Sequence, residues 1–137
     1  MIELTPSQDI SRTSVHGLEA AGYIDKVNDK KATPATNNLI NFTGETDRVY
    51  SVPRPATTSL TPITIAENKQ PRFEILRDEV DDVVVWNPWD NKAGSMADFG
   101  PADGWKKMVC VEVGSVSKWN SLEAGDTWEG GQRIKLV

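Results

Sequence analysis

The stretch Met108-Val109-Cys110-Val111-Glu112-Val113-Gly114 holds one charged side chain in an apolar run. Alternate residues of a strand face opposite sides, so Val109, Val111 and Val113 line one face while Met108, Cys110 and Glu112 line the other. Both faces read as buried. Burial disfavours the charged form of a carboxylate and makes it a better proton acceptor or donor near neutral pH. Glu112 is therefore the first candidate for general acid–base chemistry. The plainer reading is a strand residue that is partly exposed or paired with Lys or Arg.

Other residues carry weaker chemistry. Asp47, in Gly44-Glu45-Thr46-Asp47-Arg48, feeds a strand and suits either a turn with a surface ion pair or a ligand contact. His16 is the only imidazole and alternates with Val15, which reads as a surface or packed histidine rather than a general acid. A Cys110–His16 nucleophilic pair is conceivable, but a cysteine in the middle of an apolar strand reads as structural. Trp86 and Trp89 flank Asn87-Pro88, and aromatic faces can stack on sugar rings, although core packing is the commoner use. One His and one Cys are poor material for a zinc site, and no carboxylate spacing resembles a calcium loop. Neither a phosphate-cradling glycine loop nor a nucleophile elbow is present.

The elements that must position these groups read as strands. Short runs rich in Val, Ile, Tyr, Phe and Thr recur between turn clusters, the pattern of an all-β sandwich or barrel. Strands are expected at 13–18, 22–27, 38–42, 47–52, 62–67, 71–78, 81–86, 107–114, 116–122 and 131–136. Breaks fall at Thr43-Gly44, Pro53 to Pro55, Glu67-Asn68, Asp78-Glu79 and Ala124-Gly125-Asp126. One short helix is expected near 90–99, residues 28–36 read as a loop, and Met1 to Ile10 shows no clear start of a fold.

With 137 residues the chain has the length of one domain, and 38% hydrophobic with 26% charged residues suits a globular protein. A net charge of −5 gives no general attraction to nucleic acid or anionic membrane. A lone cysteine allows no internal disulfide, and no secretory signal or membrane-length apolar run is seen, so the expected setting is cytoplasmic.

Three stretches, SVHGLEAAGYIDKV at 14–27, NFTGETDRVY at 41–50 and DDVVVWNPWDNKAGSMADFGPADGWKKMVCVEVG at 81–114, resemble in order and spacing the hexose-6-phosphate mutarotases, or glucose-6-phosphate 1-epimerases, of the aldose 1-epimerase group. The resemblance runs from about residue 8 onward. It implies an antiparallel β-sandwich of the galactose mutarotase type, and a substrate that is a hexose 6-phosphate, glucose 6-phosphate first, with no metal or organic cofactor. In that chemistry a glutamate takes the C1 hydroxyl proton while a histidine protonates the ring oxygen. The ring opens, the C1–C2 bond turns, and reclosure gives the other anomer.

By the same resemblance the base falls on Glu112 and a sugar-contacting aspartate on Asp47. Trp86 and Trp89 match the WNPW motif as scaffold near the site. Val113 stands where the family usually has proline. The family's acid histidine lies in a His-Thr-Tyr-Phe-like stretch just upstream of the segment matching Gln8-Asp9-Ile10-Ser11, and His16 aligns elsewhere. The resemblance therefore covers the C-terminal half of a mutarotase-like domain, residues 1–137 forming a single partial domain. Such a half would be inactive alone and prone to self-association through uncovered sheet edges. The alternatives are a non-catalytic sugar-binding module and an inert fragment.

Overall fold

Hydrophobic alternation decides the architecture. In the computed structural model, which describes residues 2–3, 9–52 and 61–137, the strands stack as two antiparallel sheets of a sandwich, with clear alternation of buried residues in β2 and part of β9. The strands are β1 (Ile2–Glu3), β2 (Thr13–His16), β3 (Gly22–Asp25), β4 (Lys31–Thr33), β5 (Ile40–Asn41), β6 (Thr46–Ser51), β7 (Ile63–Glu67), β8 (Gln70–Asp78), β9 (Asp82–Asn87), β10 (Met108–Gly114) and β11 (Gly131–Leu136). One sheet has the order β1-β10-β9-β6-β3-β4, the other β11-β8-β7-β2-β5. The only α-helix among the described residues, α1 (Trp89–Ser95), follows β9. No helix among the described residues is long and apolar enough to cross a membrane.

The core lies between the sheets. Val83, Val85, Val109 and Val111 from the first sheet meet Val15, Ile63, Ile65 and Ile75 from the second, all buried. Each such side chain contributes roughly 1.5–3 kcal/mol by leaving water. Gly17 ends β2 at φ +90, where an added Cβ would stand 2.6 Å from the Pro62 carbonyl oxygen, so no other residue fits without shifting backbone.

Four expectations need correction. Residues 28–36 are not all loop: β4 pairs with β3 through Tyr23↔Thr33 and Asp25↔Lys31. Lys31 and Ala32 are exposed, so this edge strand shows no apolar alternation to read. Ile2–Glu3 does join the fold, as a short strand on β10. The segment 116–122 forms no strand; its residues are exposed and find no neighbouring strand. The fourth correction concerns Glu112 and is taken up with the site. The break expected at Pro53 to Pro55 lies outside the described residues.

What holds the start of that strandless segment is Asp82, at the first position of β9. Its carboxylate accepts from Val116 N–H and Ser117 N–H, both at 2.7 Å, and from the Ser117 and Ser51 hydroxyls. Burial pushes this carboxyl up, but the Ser117 and Val116 amides and the two hydroxyls more than offset it, leaving it below the ordinary carboxylate value. A lowered folded value contributes stability that is present above the unfolded value of 3.8 and lost as pH falls through the folded one. Asp82→Asn is therefore expected to cost about 2 kcal/mol at neutral pH, because an amide nitrogen then faces donors. In urea titrations the wild type should lose more stability than Asp82→Asn between about pH 5 and pH 2. Equal losses would show that these contacts do not carry the acid sensitivity.

Candidate functional site

Register assigns each polar side chain to a face. Across β10, β9 and β6, Glu112 is opposite Val84, which is opposite Val49, while Cys110 is opposite Trp86, which is opposite Asp47. Cross-strand partners share a face, so Glu112, Cys110, Val84, Trp86 and Asp47 all point to the outer side, away from the core valines. Glu112 and Asp47 lie two strands and two residues apart. At a strand spacing of about 4.8 Å and a rise of about 3.4 Å per residue, their Cα atoms are about 12 Å apart.

Glu112 is exposed, which corrects the expectation that both faces of its strand are buried. The physical reason is that the second sheet covers only one side of β10, so the valine face is sealed and the Glu112 face open beyond Cys110. The sequence signal, a carboxylate in an apolar strand, was real; the inference from it to desolvation was not.

Asp47 is half-buried and forms an ion pair with Lys26, Nζ to Oδ1 3.5 Å. At such exposure a pair of this kind contributes little stability, so Lys26 serves to hold the carboxylate on the outer face. Cys110 is buried beneath Glu112. Burial, with the neighbouring Glu112 adding to it, pushes its thiol up to about 11. It stays protonated near neutral pH and is a poor nucleophile.

His16 is not brought to this site. Thr13 and Val15 of β2 turn into the core, so Ser14 and His16 face outward from the opposite sheet, where the His16 ring lies 2.9 Å from the Ser14 hydroxyl. Glu112 and His16 thus occupy opposite outer surfaces of the sandwich, and the Cys110–His16 pair is excluded by the same placement. Among the described residues no group of three or more His, Cys, Asp or Glu is arranged to hold a metal ion.

The two tryptophans part company. Trp86 lies on the outer face beside Asp47, whereas Trp89 packs against the core and against Trp105, ring centroids 4.5 Å apart. Between them Asn87 is fully buried. Its Nδ2 donates to the carbonyl oxygens of Trp105 and Met108, both at 2.8 Å, and its Oδ1 accepts from Trp89 N–H at 2.9 Å. Trp89 has φ +56, a left-handed conformation costly for a large side chain. Asn87 therefore fixes the strained start of α1 and the first residue of β10, the strand that carries Glu112. Sequence reasoning missed this residue; the available signal was an amide between a buried strand and a proline.

Comparison with known proteins gives a consistent picture. A family model described as aldose 1-epimerase matches residues 4–135. A protein of Cenchrus ciliaris named "Putative glucose-6-phosphate 1-epimerase" is 38% identical over 129 residues, 94% of this chain and 37% of its own length. A protein of the same name from Escherichia coli K12 is 38% identical over 133 residues, 94% of this chain and 42% of its own. The chain thus spans about two fifths of the length of these relatives. The crystal structure of "a putative mutarotase (YeaD) from Salmonella typhimurium" superposes with a TM-score of 0.69 at 33% identity, over 84% of this chain and 36% of that one. The two-sheet sandwich is therefore of the mutarotase type.

Proposed function

Because the chain belongs to the aldose 1-epimerase family, we propose that its outer β10-β9-β6 face supplies the base and a sugar contact for interconverting the α and β anomers of a hexose 6-phosphate. The observation that carries this reading is the placement of Glu112 and Asp47 on one open face, across Val84 and Trp86. Glu112 accepts the proton of the C1 hydroxyl as the bond from C1 to the ring oxygen breaks, the ring oxygen taking a proton from an acid. After rotation about C1–C2 the C5 hydroxyl gives its proton back to the acid as its oxygen attacks C1, and Glu112 returns its proton to the carbonyl oxygen, so the protein is unchanged over the cycle. Asp47 accepts hydrogen bonds from sugar hydroxyls. The relatives' names support glucose 6-phosphate as the substrate.

The acid is a histidine in the family's chemistry, and the single histidine of these 137 residues stands on the opposite surface. The 137 residues alone are therefore expected to show no anomerisation of glucose 6-phosphate above buffer, followed by polarimetry. Saturable binding without turnover, weakened by Asp47→Ala, would support a sugar-binding face that lacks its acid. Turnover clearly above buffer that is lost in Glu112→Gln would overturn the claim of inactivity. Absence of both binding and turnover would favour the inert fragment.

A further inference from the structure

The inner face of the same sheet offers a second, separate site. Asp47 and Arg48 are consecutive and so point to opposite faces. Arg48, Asp25 and Lys31 form one cross-strand row, and Tyr50, Tyr23 and Thr33 the next, all on the inner side of β6-β3-β4. There the sheet's edge borders a groove of about 710 Å³ lined by these strands and by Asn28 and Asp29 of the β3–β4 turn. A smaller hollow of about 210 Å³ adjoins it, sharing Tyr23 and Arg48 and walled by Leu18, Leu39 and Ile40.

The groove is built rather than incidental. Arg48 Nε lies 3.4 Å from Asp25 Oδ2, and its guanidinium sits 4.8 Å from the centroid of the Tyr23 ring, which in turn lies 4.9 Å from the Tyr50 ring. Asp25, buried, also accepts from Val27 N–H, Asn28 N–H and Asn28 Nδ2. The turn itself places Asp29 at φ +54 and Lys30 at φ +57, closed by Lys31 N–H donating to the Asn28 carbonyl at 2.9 Å. Such turns favour Asn-Gly and Asp-Gly, so Asp29 suits its position and Lys30 is the residue held in a costly conformation.

Charge and polarity select the ligand class. Arg48 and Lys31 offset Asp25 and Asp29, so the groove has no net formal charge to attract an anion. It presents donors on Arg48, Lys31 and Asn28 beside acceptors on Asp29 and Thr33, next to an apolar hollow. That mixture matches a neutral polyhydroxylated ring, with hydroxyls toward the polar wall and C–H groups toward Leu39 and the Tyr23 ring. We propose that this groove is a binding site for a neutral sugar, distinct from the Glu112 face. The proposal does not depend on the epimerase reading, since the two faces lie on opposite sides of one sheet.

The test is amide chemical-shift mapping of the 137-residue protein titrated with D-glucose, maltose and, separately, inorganic phosphate. Saturable shifts for the sugars at Tyr23, Asn28, Lys31 and Thr33 are expected. Affinity should fall about fivefold or more in Lys31→Ala and in Thr33→Val, as for one lost hydrogen bond. Both changes sit on an edge strand outside the core, and Glu112→Gln should leave these shifts unaltered. Three results would overturn the site: no saturable shifts in the groove, wild-type affinity in both variants, or a groove that responds to phosphate but not to sugar. Shifts confined to Glu112, Asp47 and Trp86 would also overturn it while leaving the proposed function standing.

Discussion

Glu112→Gln is expected to lower anomerisation about 10²–10⁴-fold in a chimaera in which residues 4–135 replace the matching segment of the Escherichia coli relative. The relative then supplies whatever the 137 residues do not, and the variant isolates one proton acceptor. Glutamine keeps the shape and hydrogen-bonding capacity of the side chain but cannot hold the C1 proton. Because Glu112 is exposed, the change should leave stability within about 0.5 kcal/mol, so lost activity cannot be ascribed to unfolding. The loss should fall on kcat with KM little altered, the signature of an interaction made only in the transition state. Asp47→Asn should instead weigh on KM, since a sugar contact acts in ground and transition states alike. A chimaera that turns over equally well with glutamine at 112 would remove Glu112 from the chemistry. One in which both parameters shift together would make it a binding residue.

The exposure of Glu112 shows where reading the sequence stops. Alternation in Val109, Val111 and Val113 identified a strand and its core face correctly, because it needs only the period of two. Whether anything covers the other face depends on how far a second sheet extends, and no pattern within β10 encodes that. The strand β4 failed for the opposite reason. Its Lys31 and Ala32 stay in water, so the pairing with β3 rests on backbone bonds that leave no apolar trace. Val116, Trp119 and Leu122 suggested a strand where there is none: that segment's local hold is Asp82, which lies 34 residues before Val116. Of the proposed site residues, Glu112 stood out from its apolar strand and Asp47 through resemblance to a family, and the structure adds that they share a face. Asn87 and the Arg48 groove became legible only once cross-strand register was known.

Asn87 should therefore show the largest effect on stability. Asn87→Ala is expected to destabilise the fold by about 4 kcal/mol and to lower the melting temperature by roughly 10–15 °C. The change strands the carbonyls of Trp105 and Met108, which lose their 2.8 Å donor, and the N–H of Trp89, which loses its acceptor. It also frees the left-handed Trp89 from the contact that holds it at φ +56. Volume and hydrogen bonding are separated by Asn87→Asp, which keeps the shape and the bond from Trp89 N–H. If packing governs the site, aspartate should be nearly harmless. If the amide donors govern it, aspartate should match or exceed alanine, because a buried carboxylate would then face two carbonyl oxygens. The second outcome is expected, because two of the three amide contacts are donated by Nδ2 to carbonyl oxygens. It carries a functional corollary as well, since Met108 opens β10 and a shift of one residue there would turn Glu112 inward and Val111 outward. In the chimaera, Asn87→Ala should accordingly depress activity even below the melting transition, whereas Asp82→Asn, which loosens residues 116 and 117 and the Ser51 contact at the far end of β9, should not.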